Sequence, residues 1–246
     1  MALAAGAGTR LAPLTLLRPK PLCPVGDRTL LDWALDSLAP AVDSVAVNVH
    51  HRAEQVIEHL GERRSGDGVH VSHEVDRALG TAGAIGALRG WLDGRGALVV
   101  NADPWHRADL ASFVAGWDGT RVRLLTPTPL PFGPRSGVVA SLLPWSIAVR
   151  LAPVPGGLWE LVWRSELELG RVDVVVEPSR VIDCATPADY LRANLTWSDG
   201  VPVVGEGAVV RVATVVLAGT ALILAAQLES GHPRLLRAAW IVSTSS

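Results

Sequence analysis

The 246-residue chain carries 22 Lys+Arg against 24 Asp+Glu, a net charge of −2, with 49% hydrophobic and 19% charged residues. That balance excludes the basic excess of a general nucleic-acid binder. The apolar fraction suits one sizeable buried core with a smaller unit attached. Two cysteines, Cys23 and Cys184, make no disulfide framework and have no metal-ligand spacing. The opening residues lack the basic stretch of a signal peptide. The apolar run 212–228 is rich in β-branched residues, which favour strands over a membrane helix. A cytoplasmic protein without membrane or nucleic-acid partners is expected.

In chain order, "MALAA" reads as a short strand running into a glycine-rich loop. "TLLDWALDSLA" (29–39) places Leu31, Ala34, Leu35 and Leu38 on one helical face. Strands are predicted at 44–49, 69–74, 96–103 and 120–126, and helices at 53–64, 81–92 and 108–117. The apolar run "GALVVNAD" is typical of a strand buried on both faces. Such alternation predicts an α/β fold with a doubly wound, mostly parallel sheet, whose ligands bind at the carboxyl ends of the strands. From residue 204, Val204, Val210, Val216 and Leu222 recur every six residues. That period predicts a short left-handed β-helix-like hexapeptide segment over 198–246, behind a main domain of 1–197. An ordinary hairpin packing is the alternative.

The stretch "LAAGAGTRLAPLTLLRPKP" is the most informative. Gly6 and Gly8 follow a strand, where small residues let backbone N–H groups approach an anion. Leu11 stands where a dinucleotide fingerprint needs glycine, no Walker pattern is present, and Pro13 and Pro19 forbid a long helix. The loop is therefore an irregular phosphate cradle with Arg10 and Lys20 as its cations. Lys20 is the chain's single lysine, set between Pro19 and Pro21 in a sequence that otherwise uses arginine.

These residues resemble the signature of the sugar-1-phosphate nucleotidyltransferases: L-A-A-G-x-G-T-R, then P-x-T, then P-K-P. "LGTAGAI" (79–85), "NAD" (101–103) and "VIDCATPADYLRANL" (181–195) resemble that family's base-binding and aspartate-bearing segments in order and spacing. The resemblance implies a Rossmann-like nucleotidyltransferase core and a reaction joining a nucleoside triphosphate to a sugar 1-phosphate, with release of pyrophosphate. It implies nucleotide binding by Leu3, Ala4, Ala5, Gly6, Gly8, Thr9, Arg10, Lys20, Gly80 and Thr81. Arg10, Lys20 and Asp103 take catalytic roles, and Asp103 and Asp183 hold Mg²⁺.

The residue types suit this chemistry. Arg10 offers a planar fork for the β- and γ-phosphates, Lys20 a compact charge, and two carboxylates a hard-cation site. Thr81 could equally cap a helix start. Asp109 and Asp189 read as helix N-terminal residues, and Arg63 and Arg64 as a solvated helix end. No E-K-P segment for the sugar side is found, which leaves a non-catalytic nucleotide-binding homologue as the alternative. GTP with mannose 1-phosphate is the first pairing expected, uridylyl and thymidylyl transfer the next. A homo-oligomer is possible.

Overall fold

The computed structural model describes residues 1–63, 68–128, 130–177 and 179–199, together with two short strands at 209–211 and 225–227. The chain starts with β1 (Ala2–Leu3) and passes through three single-turn 3-10 helices, Thr9–Leu11, Leu14–Leu16 and Lys20–Leu22. A small hairpin of β2 (Pro24–Val25) and β3 (Arg28–Thr29) leads into α1 (Leu30–Leu38). Next come β4 (Ala46–Val49), α2 (Ala53–Glu62), β5 (His70–His73), α3 (Gly80–Ala87), α4 (Arg89–Leu92), β6 (Ala97–Asn101), β7 (Pro104–His106) and α5 (Leu110–Val114). The remainder holds β8 (Val122–Thr126), β9 (Ala140–Leu143), α6 (Trp145–Ala148), a π-helical turn (Trp159–Trp163), α7 (Arg164–Glu168), β10 (Val172–Val176), β11 (Val181–Asp183) and α8 (Pro187–Trp197).

The main sheet has seven strands in the order β10-β8-β9-β6-β1-β4-β5. Of these, β9 alone runs antiparallel to its neighbours, β6 and β8, so the expectation of a mostly parallel sheet holds. Each central strand feeds two cores. Leu98 and Val100 of β6 pack with Leu31, Leu35 and Leu38 of α1 on one face. Ala97 and Val99 pack with Ile85 of α3 on the other. Burial on both faces is why β6 reads as an uninterrupted apolar run.

A third core lies apart from these and assembles the loops. It joins Leu11, Cys23, Val25 and Leu30 to Trp105, Ile182, Cys184 and Ala193. Its frame is the antiparallel pair β7–β11, in which Pro104 stands opposite Asp183 and His106 opposite Val181.

Local details amend the sequence reading in places. The helix predicted over 81–92 is two helices meeting at Leu88, which leaves helical geometry with φ −87° and ψ 2°. Arg63 is not solvated: its guanidinium donates to Asp32 Oδ1 at 2.8 Å and also to Asp36. Those aspartates lie four residues apart on one face of α1, so they form a fork for the end of α2. Arg64 lies outside the described residues. Asp109 caps α5 by accepting from Ser112 N–H, and Asp189 sits in the first turn of α8 beneath its cap Thr186. Of 198–246, the described residues beyond Asp199 are β12 (Val209–Arg211) and β13 (Ala225–Gln227), an antiparallel pair. The expected hexapeptide repeat otherwise falls outside the described residues. Among those described, no helix is long and apolar enough to cross a membrane.

His106 gives the fold a pH-dependent element. It is 5% exposed, and its Nδ1 accepts from Ala108 N–H at 3.3 Å. Burial pushes its imidazole down to about 4, with Glu177 pulling weakly the other way. The unfolded chain, titrating near ~6.5, therefore takes the proton first. Stability is expected to be complete above pH ~6.5 and to fall towards pH 4, by on the order of 3 kcal/mol. His106→Asn keeps an acceptor for Ala108 and should flatten this part of the stability–pH curve in urea melts. An unaltered slope would show that the proton goes elsewhere.

Candidate active site

The loop after β1 forms no long helix. Gly8 adopts a left-handed backbone, φ 61° and ψ 29°, and opens the turn Thr9–Leu11. Its carbonyl accepts from Leu11 N–H at 2.9 Å and from the Thr15 hydroxyl at 3.2 Å. A Cβ at Gly8 would lie 2.7 Å from Lys20 Cβ. Glycine is thus required twice there, by the positive φ and by the close passage of the Lys20 stem.

Lys20 is held by its own turn. Pro19 is extended before it, Leu22 N–H donates to Pro19 O at 2.9 Å, and Cys23 N–H donates to Lys20 O at 3.0 Å. The lysine is only 5% exposed. Its ammonium donates to Asp103 Oδ2 at 2.9 Å and to Asp183 Oδ1 at 3.4 Å. Asp103 comes from the bend between β6 and β7, and Asp183 is the last residue of β11. The β7–β11 register sets the two together. Their side chains remain 42% and 60% exposed, so a buried cation underlies two open carboxylates.

Every residue expected at the nucleotide, from Leu3 through Arg10 to Lys20, Gly80 and Thr81, lines one cleft of about 370 Å³, and Asp103 joins them. Asp183 does not line it but reaches it through Lys20. A wider depression of about 440 Å³ along the outer side of α8 shares no residue with this cleft and none of its charges. On the far wall, Gly80 has φ 69°, and a Cβ there would lie 2.6 Å from Gly156 O. Thr81 is not a helix cap. Leu79 is the N-cap residue, and Thr81 Oγ1 accepts from Leu158 N–H at 2.8 Å. The α3 start is thereby fastened to the 156–158 segment.

The carboxylate pair suits a hard cation. Magnesium is commonly bound by one or two carboxylates, with phosphate oxygens and water completing the shell. Asp103 and Asp183 would be those two, and both now accept from Lys20. Among the described residues no group of three or more His, Cys, Asp or Glu could hold a metal by itself, so substrate would have to complete the coordination.

A family model described as nucleotidyl transferase matches residues 1–124, half of the chain. The chain belongs to the nucleotidyl transferase family. The resemblance to its sugar-1-phosphate members is carried by curated relatives. The chain is 38% identical over 130 residues to N-acetylmuramate alpha-1-phosphate uridylyltransferase of Caulobacter vibrioides, covering 50% of this chain and 54% of that protein. It is 34% identical over 140 residues to mannose-1-phosphate guanyltransferase of Schizosaccharomyces pombe, covering 53% and 39%. The chain thus spans about half the length of such relatives, or less. Among solved structures, a putative glucose-1-phosphate thymidylyltransferase from Bacillus anthracis superposes with a TM-score of 0.64 at 16% identity, over 83% of this chain and 96% of that one. UDP-glucose pyrophosphorylase complexed with UDP-glucose gives 0.64 at 14% identity, over 80% and 97%. At such identities the likeness establishes a shared fold, and it extends past the region matched by the family model.

The motif reading of this nucleotidyl transferase missed several cleft residues, among them Asn48, Ala78 and Asn101. Asn48 had a visible signal, a lone amide inside the buried strand Ala46–Val49. Ala78 carries no distinguishing pattern in sequence, and Asn101 stands inside the quoted "NAD" without having been singled out.

Proposed function

We propose that the protein joins a nucleoside triphosphate to a sugar 1-phosphate, forming an NDP-sugar and pyrophosphate. The observation that carries this reading is the placement of the Lys20 ammonium between Asp103 and Asp183 at the glycine-loop cleft. A phosphate oxygen of the sugar 1-phosphate attacks the α-phosphorus, and the bond from that phosphorus to the β-phosphate bridging oxygen breaks. The electron pair leaves with pyrophosphate. No side chain forms a covalent intermediate in this reading, so the protein's part is positioning and charge neutralisation.

The backbone from Ala5 to Thr9 cradles the triphosphate, and Arg10 takes the β- and γ-phosphates. Lys20 follows charge as it moves across the α-phosphate, from a position fixed by its proline-flanked turn. Asp103 and Asp183 would hold Mg²⁺, which supplies Lewis-acid stabilisation to phosphate oxygens when bound. Gly80 and Thr81 face the base. A cytoplasmic site of action belongs to the same proposal.

Pyrophosphate release across a matrix of triphosphates and sugar 1-phosphates tests the proposal. GTP with mannose 1-phosphate is the first pairing, followed by UTP and dTTP with N-acetylmuramate and glucose 1-phosphates. Turnover with one pair well above the rest is the expected result. Folded protein inactive with every pair, yet still binding triphosphate, would favour the non-catalytic reading. The chain's single lysine is already engaged at Lys20, and none remains for the sugar side.

A further inference from the structure

We propose that Asn48 and Glu74 are positioning residues that set the spacing between the two walls of the nucleotide cleft. The proposal rests on the reading of that cleft as a triphosphate site. Both side chains are buried, Asn48 2% exposed and Glu74 4%. Asn48 Oδ1 accepts from Ala4 N–H at 2.9 Å, where β1 passes into the glycine loop. Asn48 Nδ2 donates to Glu74 Oε1 at 2.8 Å. Glu74 Oε2 accepts from Leu79 N–H at 2.7 Å, the residue before Gly80. Three hydrogen bonds therefore run from the phosphate-side loop to the base-side turn.

The relay is fastened to rigid structure. Asn48 lies in β4, and Glu74 N–H extends the sheet ladder by donating to Val49 O at 2.8 Å. His50 Nδ1 lies 2.6 Å from Glu74 O. Beyond the relay, Leu79 O accepts from Gly156 N–H at 3.0 Å, so the Leu79 backbone is fixed from both sides.

The chemistry of the pair follows from counting donors and acceptors. Both ends of the relay, Ala4 N–H and Leu79 N–H, are donors. The four intervening positions must then comprise three acceptors and one donor. An amide at 48 with a carboxylate at 74 meets that count. Asn48 with Glu74→Gln has one donor too many, and rotating either amide only moves the clash. Asn48→Asp with Glu74 has no donor and sets two carboxylates face to face. The double exchange N48D/E74Q meets the count again: Ala4 N–H to the Asp carboxylate, the Gln amide to that carboxylate, and Leu79 N–H to the Gln carbonyl. Shape and net charge are unchanged.

The experiment measures binding of GTP, UTP and dTTP, each with Mg²⁺, to wild type, both single variants and the double variant. It is run well below each variant's melting temperature and with folding verified by circular dichroism. Each single exchange is expected to weaken triphosphate binding about tenfold or more, a loss on the scale of one charged hydrogen bond, and the double exchange to recover most of it. The KM for sugar 1-phosphate should stay put. If a single variant does not fold, the double variant decides, because it carries both changes with the pattern restored. Wild-type-like affinity in the single variants, even with lowered melting temperatures, would make the relay merely structural and overturn the proposal. So would a double variant that binds no better than the singles. Absence of triphosphate binding by the wild type would instead overturn the functional reading, and this proposal with it.

Discussion

Lys20→Met is expected to lower turnover on the order of 10³-fold, the scale of losing one preorganised charge-stabilising donor, in a protein that stays folded. Methionine has nearly the same length and fills the same slot without the charge. The lysine is 5% exposed while its two carboxylate partners are half open to water. Water can take over the two half-open carboxylates when the ammonium is removed, so the penalty of an uncompensated buried charge is not incurred and an apolar replacement of similar volume costs little stability. The melting temperature should move by no more than a few degrees. Lys20→Arg separates charge from shape. The ammonium sits 2.9 Å from Asp103 and 3.4 Å from Asp183, and the longer, planar guanidinium does not place its charge at that one point. It too should be severely impaired. Steady-state kinetics beside thermal melts decides the matter; a Lys20→Met protein turning over at the wild-type rate would remove this residue from the chemistry.

Asp103→Asn and Asp183→Asn should each reduce turnover by at least ~10²-fold, with a different signature. The amide oxygen still accepts from Lys20, so the lysine stays in place while one negative charge leaves the proposed metal site. Part of the loss should be regained at high Mg²⁺, and the magnesium midpoint should rise well above that of the wild type. No amount of Mg²⁺ should restore Lys20→Met. A magnesium titration of pyrophosphate release through all three variants reads this contrast. Unmoved rates and midpoints would take the aspartates out of the metal site.

Much of this was legible from single residues. The proline-clamped lysine and the glycines after the first strand pointed to an anion site, and these residues do line one cleft. The β-branched pair Val181 and Ile182 forms the strand that Asp183 closes. What local sequence could not supply was pairing. Nothing in "PWH" or "VID" says that these three-residue strands meet antiparallel, yet that register brings the aspartates to one ammonium. Asn48 is the polar residue of the strand Ala46–Val49, but its purpose depends on Ala4, 44 residues away. Thr81 had the composition of a cap. The left-handed backbone at Gly80 starts the helix two residues before a Thr81 cap would and leaves the hydroxyl to the 156–158 segment. Arg63 was judged by its own helix alone, whereas its partners lie on α1.

Lys20 meets carboxylates that lie 83 and 163 residues further along the chain, yet the glycine loop and the Gly80 turn both belong to the first third of the sequence. On the proposed function, grip on the nucleotide and the means to react it are encoded separately along the polymer. A nascent chain that has not yet produced β11 lacks the second of these acids, and bringing it to Lys20 closes a loop that spans 163 residues. Competence to react should consequently switch on late in folding, as a single step after the sheet is complete.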